Sequence, residues 1–539
     1  MSTEIESRLD DDASRNQRSD TGQGLDRRVM IVAGVIVLGA VMSILDITVV
    51  AVAQRTFQSI FHATQAQVAW TATGYTLALA TVIPMTGWAA DRFGTRRLYI
   101  LAIAMFTAGS ALCSTAQNLE MLVTFRVLQG LGGGMLMPLG MTILTRAAGP
   151  ERLGRVMSIL GVPMLLGPIF GPILGGWLID VASWHWIFLI NVPIGIAATI
   201  YAYLVLDRDE VHPSESFDFV GMLLLSPGLA LLLYGVSSIP AAKQEHGTMF
   251  TANVVITSVI GIVLVGTFVW WALRRKNIHP LISLRLFANR HVTVAVITMA
   301  LFAMAFFGAS LLFTLYFQQV RGESPLSSGW LVAPQGFGAM LTMPIGGYLA
   351  DKIGPGKVVL TGLVFDTVGM GMLTVIDDKT PYSYLMTSFV IMGLGMGATM
   401  MPVFTAALAS LRKHEVARGS TLMNITQQIS ISIGTALFSV LLTSAYNSHA
   451  NVVGPTLALQ NATGPAQRQA VLEQLHLTPG QALIVVSRGL HYMGNAFGDV
   501  FVVSTVLVGC CLIPALFLRR RPPEKAEFEE TEQAMVMGV

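Results

Sequence analysis

Apolar residues fall into long uninterrupted blocks along this 539-residue chain. Blocks long enough to cross a bilayer lie at about 30–53, 68–90, 98–116, 119–145, 154–180, 186–206, 217–238, 252–273, 291–319, 327–350, 357–376, 384–411, 419–446 and 499–518. Roughly 20 such residues span the hydrocarbon core as a helix, so the pattern predicts fourteen membrane helices. An even number puts both chain ends on one side. Several blocks exceed the minimum length, which permits tilt or kinking.

Composition agrees and removes alternatives. Hydrophobic residues make up 53% and charged residues 12%, against about 25% charged in a soluble domain, and the mean hydropathy is +0.63. The expected class is an all-α membrane protein; a soluble enzyme and a single-span receptor are excluded. A net charge of +2 offers no basic face for nucleic acid. The three cysteines, Cys113, Cys510 and Cys511, all sit in apolar runs. An odd count there points to free thiols, not a disulfide framework or zinc site, and no metal is expected. Residues 1–29 are polar and read as a disordered arm, not a cleavable signal; residues 519–539 read as a tail.

Charge placement gives an orientation. With the N-terminus inside, 26 of the 33 Lys and Arg residues fall on the cytoplasmic side and six outside. The positive-inside rule then makes both termini cytoplasmic in a multi-pass cell-membrane protein.

An internal repeat organises the spans. The loop after the second span reads GWAADRFGTRR, with Gly87, Asp91, Arg92, Gly94, Arg96 and Arg97; the loop after the tenth reads GYLADKIGPGK, with Gly347, Asp351, Lys352, Gly354 and Lys357. Gly130-x-Gly132-x-Gly134 before Pro138 has its counterpart in Gly393-x-Gly395-x-Gly397 before Pro402. Residues 30–206 and 291–518 therefore form two six-helix bundles, with two helices inserted at 217–273 and an external loop at 447–498. Repeated bundles with a site between them are a transporter design. In each loop, ordinary positive-inside charge competes with a gate reading, in which the acid pairs with bases across the pseudo-twofold. The repeat favours the gate.

These loops resemble the major facilitator superfamily, and in particular its fourteen-span drug:proton antiporters of the EmrB/QacA type. So do LDITVVAVA around Asp46, RVLQGLGGG from Arg126, GPIFGPILGG from Gly167 and WHWIFLINVPIG from Trp184. The likeness covers about residues 30–520. His185 stands where the family usually has arginine, Ser158 replaces a glycine, and NITQQISISIG lacks a common basic residue. The resemblance implies the major facilitator fold, proton-coupled export by alternating access and a kinked fifth helix sealing the junction between the halves. Its stripe is Gly167, Pro168, Gly171, Pro172, Gly175 and Gly176, which also suits plain close packing.

Charges inside spans cost roughly 2.5–3.5 kcal/mol each at a helix centre and normally have a purpose. Asp46 and Arg126 each lie about seven residues from the outer end of their spans, at matching depth near 10 Å. They suit a proton site at Asp46 modulated by Arg126, or a static clip. Asp366, the other mid-span acid, suits proton transfer or packing. Tyr75, Gln129, Gln319, Gln335, Asn424 and Gln427, with Phe313, Tyr316 and Phe317, are candidates for an amphipathic substrate cavity. No ATP-binding or hydrolytic motif occurs, so the expectation is no enzyme and no cofactor, with the proton gradient as energy source. Partners would be protons, membrane lipids and lipophilic small molecules. The chain is expected to act as a monomer. An exporter of an endogenous lipid or siderophore is the alternative.

Overall fold

The computed structural model describes residues 27–520 except 64, 149–151, 208–216, 275–279, 412–414 and 463. Most of the expected arm and tail lies outside the described residues. Fourteen long helices occupy the fourteen expected positions. They are α1 (Arg27–Val52), α2 (Gln65–Phe93), α3 (Thr95–Cys113), α4 (Leu119–Ala148), α5 (Leu153–Val181), α6 (Asn191–Val205), α7 (Phe219–His246), α8 (Ala252–Leu273), α9 (Arg290–Gln319), α10 (Pro325–Ile353), α11 (Pro355–Met372), α12 (Tyr382–Leu408), α13 (Val416–Ser448) and α14 (Pro479–Cys510). Twelve are long and apolar enough to cross a membrane across their described residues, and α5 and α10 are the other two. Each satisfies its own backbone polar groups, the condition for crossing lipid.

Helices α1–α6 form one half and α9–α14 the other. The halves meet along two seams, α5 against α10 and α2 against α13, with further contact of α4 with α13 and α5 with α12. Helix α7 packs on both α2 and α13, and α8 packs on α7. The repeat extends to the backbone: Gly94 and Gly354, which precede α3 and α11, have φ of 90° and 94°, a region that disfavours any side chain.

Call the end where α1 begins and α14 finishes the base. Most of the described hydrogen bonds between the two halves lie there, with Asn424 to Met141 just above. Thr86 and Thr421 hydroxyls are 3.1 Å apart, and Thr142 and Ser420 hydroxyls 2.9 Å. Ser420 also donates to the Pro138 carbonyl at 3.1 Å. At the other end, the top, α13 and α14 reach past the bilayer. Helix α13 has 33 residues, about 50 Å of helix against a hydrocarbon core of about 30 Å.

One expectation is refined and one corrected. Within the segment expected at 447–498, α14 already starts at Pro479 behind a Thr478–Gln481 capping box, so its last part is helix. Short helices Ala450–Asn461 and Pro465–Gln474 fill the remainder. The glycine stripe of α5 does not face the opposite half. A Cβ on Gly167 would meet Ile44, one on Gly171 would meet Thr48, and one on Gly175 would lie 3.1 Å from Val49, all on α1; one on Gly176 would meet nothing within 4 Å. The stripe lets α1 and α5 of the same half approach closely. The side chains of Pro168 and Pro172 lie outside what is described. Contact between α5 and the other half falls instead to Gly154, Ser158 and Gly161 near the base: a Cβ on Gly154 would sit 2.5 Å from the Gly347 carbonyl oxygen, and one on Gly161 would strike Met343.

In α9 the helix widens to a π-turn at Ala303–Phe307. The Ala305 carbonyl there accepts the Ser504 hydroxyl of α14 at 3.1 Å, the kind of local re-satisfaction an irregular turn in lipid needs.

Because Gly171 meets Thr48, Gly171→Leu overpacks a seam within the first half, at a cost of about 1–3 kcal/mol. Thermal denaturation of the purified protein should show a lower Tm, partly recovered by adding Thr48→Ala. An unchanged Tm would show that α1 and α5 are not in close contact at this level.

Candidate functional site

The charged residues of α1 and α4 meet in the interior of the first half. Arg126 Nη1 donates to Asp46 Oδ2 at 2.5 Å, and both side chains are about 1% exposed. Several of the remaining polar atoms are matched. Arg126 Nε donates to the Thr71 carbonyl at 3.0 Å, Nη1 also reaches Gln129 Oε1 at 2.8 Å, and the guanidinium lies 4.2 Å from the centre of the Tyr75 ring. Asp46 Oδ1 accepts Gln129 Nε2 at 2.8 Å and Asn191 Nδ2 at 3.2 Å. Removing one partner of such a buried pair typically costs about 3–5 kcal/mol, because the other charge is left uncompensated.

Helix geometry explains the assembly. Gln129 follows Arg126 by three residues, so both lie on one face of α4. The glycine run after them draws the neighbours in: a Cβ on Gly130 would sit 2.6 Å from the Tyr75 carbonyl oxygen, and one on Gly132 would sit 2.5 Å from the Phe106 nitrogen. Tyr75 is held by the Ser43 hydroxyl at 3.2 Å. Tyr75 and Gln129 are thus enclosed parts of the charge network, where the sequence suggested substrate contacts.

A second cluster lies at the base. Asp351, at the end of α10, accepts the Gly154 N–H at 2.7 Å and the Arg155 N–H at 3.1 Å, with Arg155 Nε at 3.4 Å. An acid of one half therefore caps the first turn of α5 in the other, where the helix dipole favours negative charge. Asp91 at the end of α2 pairs with Arg146 at 3.4 Å and with Arg418 of the other half at 3.8 Å. A Cβ on Gly87 would lie 3.3 Å from Thr421 Oγ1, so the glycine keeps α2 close to α13. The remaining motif residues act locally. Arg96 donates to the Tyr203 carbonyl at 2.6 Å, Lys352 lies 5.7 Å from the Tyr348 ring centre, and Arg92 and Arg97 are exposed.

Asp366 is not brought to the first network. It is fully buried between α11 and α12, with Thr399 Oγ1 at 3.3 Å from Oδ2 and no partner on Oδ1. Phe313, Tyr316 and Phe317 are core residues of the second half. Phe313 packs on Phe389 and Phe501, Phe317 packs on Phe389, and the Tyr316 hydroxyl donates to the Asp377 carbonyl at 2.6 Å. Gln319 accepts the Tyr446 hydroxyl at 3.0 Å near the top. Gln335 is half-buried on α10, where its backbone meets Gly393 of α12. Asn424 and Gln427 are buried on α13 above Ser420, and Asn424 Nδ2 lies 3.4 Å from Met141 Sδ of the first half. Of the expected cavity residues, Asn424 is thus placed at the junction.

Among the described residues, one group brings metal-ligand types within reach: Asp377, Asp378 and His491 at the top. Its atoms are already engaged. Asp377 Oδ1 accepts the Thr380 hydroxyl at 2.8 Å and the Lys379 N–H at 2.9 Å, and His491 Nδ1 is 2.9 Å from Asp378 Oδ1. The Thr380 hydroxyl bond holds the Asp377 carboxyl below the usual carboxylate range. The group is a hydrogen-bonded brace between the α11–α12 turn and α14.

A family model described as Major Facilitator Superfamily matches residues 36–435. The chain belongs to this superfamily. Among relatives, it is 49% identical to the "Multidrug resistance protein B homolog" of Mycobacterium tuberculosis, over 92% of this chain and 91% of that protein. It is 30% identical to the "Multidrug export protein EmrB" of Haemophilus influenzae, over 74% of this chain and 78% of that one. The solved structure of the human organic anion transporter MFSD10 (TETRAN) matches with a TM-score of 0.55 at 13% identity, covering 90% of this chain and all of that one; it supports the fold. The residues of the two clusters that the sequence did not single out are Asn191, Thr71 and Ser110 (whose hydroxyl accepts Asn191 Nδ2 at 3.1 Å) around Asp46, and Gly154, Arg155 and Ser420 at the base. Asn191 lies inside a motif that was recognised without any chemistry attached, and Thr71 contributes only a backbone carbonyl, invisible in sequence.

The two base acids should differ in weight. Asp351→Ala removes charge-assisted bonds from a largely buried carboxylate, worth about 1.5–3 kcal/mol. Asp91→Ala removes longer, part-exposed pairs worth under about 1 kcal/mol. Spin-label distances between the α2–α3 and α10–α11 loops should therefore show a larger population of separated bases in Asp351→Ala than in Asp91→Ala. Equal distributions in the two variants would overturn the ranking.

Proposed function

We propose that this protein exports lipophilic or cationic small molecules from the cytoplasm in exchange for protons, by alternating access, in the cell membrane with both termini cytoplasmic. The observation that carries the reading is the Asp46–Arg126 pair enclosed among polar partners inside one half of the bundle. A buried acid beside a movable cation is what a carrier needs to exchange a proton for a conformational change. The basic residues put the base at the cytoplasm. The arrangement is then an outward-facing state, with the cytoplasmic side closed by Asp351 on α5, Asp91 on Arg418 and the Thr86, Thr142, Ser420 and Thr421 hydroxyls. In this state a proton from outside neutralises Asp46, its attraction for Arg126 falls, and the first half is released to change packing.

Substrate class follows from relatives and surface chemistry. The Mycobacterium relative carries a multidrug resistance name at 49% identity. Above the closed base, Asn424, Gln427 and the thioether of Met141 are buried at the junction and would line the space between the halves with mixed polar and adaptable apolar groups once the base parts. Such a surface accommodates bulky lipophilic cations without a matched set of hydrogen bonds. The energy source is the proton gradient, and the transported compound is released unchanged.

The test is Asp46→Asn in proteoliposomes loaded with ethidium as probe. Asparagine keeps the volume but cannot cycle a proton, while Arg126 retains the Thr71 carbonyl, Gln129 and the Tyr75 ring. Uphill efflux driven by an imposed pH gradient should fall at least tenfold, and downhill exchange of ethidium should persist. Undiminished uphill efflux would remove Asp46 as the coupling residue.

A further inference from the structure

The two oxygens of Asp46 are not equivalent. Oδ2 takes Arg126 Nη1, whereas Oδ1 takes two amide groups, Gln129 Nε2 and Asn191 Nδ2. Gln129 belongs to the same helix as Arg126 and is bonded to it. Asn191 comes from elsewhere. It is the first residue of α6, just after the single turn Trp186–Leu189, and is 2% exposed. The same Asn191 Nδ2 donates to Ser110 Oγ of α3 at 3.1 Å, and Ser110 Oγ donates to the Phe188 carbonyl at 2.9 Å.

That chain fixes which way the Asn191 amide points. The single hydroxyl proton of Ser110 is committed to Phe188, so toward Asn191 the Ser110 oxygen only accepts. Ionised Asp46 accepts on both oxygens. Both neighbours of Asn191 thus demand a donor, and the reversed amide would set oxygen against oxygen. Oδ1 consequently faces two N–H groups and has no acceptor to receive a proton placed on it. Oδ2 takes one donor where Oδ1 takes two, so a proton is better placed on Oδ2, and there it meets Arg126.

We infer that Asn191 is a positioning residue for proton coupling: by occupying Oδ1 together with Gln129, it forces the proton and the Arg126 guanidinium to compete for Oδ2. Binding the proton and releasing Arg126 then become one event. The inference rests on the reading of Asp46 as the coupling acid. The other groups around Asp46 do not substitute for Asn191. From α2 come Tyr75 and Thr71, whose carbonyl holds Arg126; from α3 come Ser110 and Cys113, whose thiol points to Gln129 Oε1 at 3.6 Å. From α5 come Gly167, Gly171 and Gly175, which present no side chain to α1. Arg126 is the charged partner and Tyr75 and Cys113 the titratable neighbours.

Removing the Asn191 amide opens Oδ1 to the proton while Arg126 stays in place. In proteoliposomes with ethidium as probe, Asn191→Ala should move the pH midpoint of efflux upward by about one unit, because a donor to the charged form is lost. It should also lower uphill accumulation at least fivefold relative to downhill exchange. Asn191→Asp, nearly the same shape, sets a second carboxyl beside Asp46; the two then share a proton, and the midpoint should rise further. A rate reduced with the midpoint and the uphill-to-downhill ratio unchanged in both variants would make Asn191 a packing residue and overturn the proposal. So would failure of both variants to reach the membrane. Asp46→Asn is measured alongside: if it still pumps uphill, the coupling reading itself fails. If it does not, and the Asn191 variants keep the wild-type midpoint, this inference alone fails.

Discussion

A full positive and a full negative charge are tolerable inside a helical bundle only when almost every lone pair and N–H they carry is matched. The cost of failing that condition, several kcal/mol per ion, organises the first half. Asp46 comes from α1, the Thr71 carbonyl and Tyr75 ring from α2, Ser110 from α3, Arg126 and Gln129 from α4, and Asn191 from α6. The glycines are part of the same requirement. Gly109 brings α3 against Gln129, where a Cβ would lie 2.6 Å from its Cα, and Gly130 brings α4 against Tyr75. Side chains at these positions would widen the bundle and leave the pair short of partners.

The base follows a different logic. Its contacts are hydroxyl pairs, partly exposed ion pairs worth little alone, and one stronger helix cap, all at the junction of the halves. Asp351 on the first turn of α5 is the best matched of them. A junction built this way is held by the sum of several contacts. The pair of the first half is enclosed instead, with both side chains about 1% exposed, so the two clusters differ in how far water can reach them.

The spans were legible because each is a run of apolar residues, and the repeat because its loops keep their glycines, acids and bases at one spacing. The beginning of α14 was not, because Arg488, His491, Asn495 and Asp499 break its hydropathy while it stands above the membrane. The pairing of Asp46 with Arg126 was readable from matched depth. Which way a polar residue faces was not: Tyr75 and Gln129 turn inward to the charges, and Phe313, Tyr316 and Phe317 turn into the core of the second half. The stripe of Gly167, Gly171 and Gly175 announced a close approach without naming the neighbour, which proved to be α1. Sequence spacing specifies a face; the partner of that face depends on the whole bundle.

The inserted helix α7 makes the two seams mechanically unequal. On one side it ties both halves together: Ser226 donates to the Thr81 carbonyl of α2 at 2.7 Å and Trp70 stacks on Tyr234, while Lys243 reaches Ser444 and Ser237 lies 3.3 Å from Ser432, both on α13. Among the described residues no such splint lies between α5 and α10, which meet directly. Relative motion of two bodies joined along one edge becomes a swing about that edge. In the proposed alternating access, displacement would be greatest at the α5–α10 side, and the lipid there would feel most of the movement.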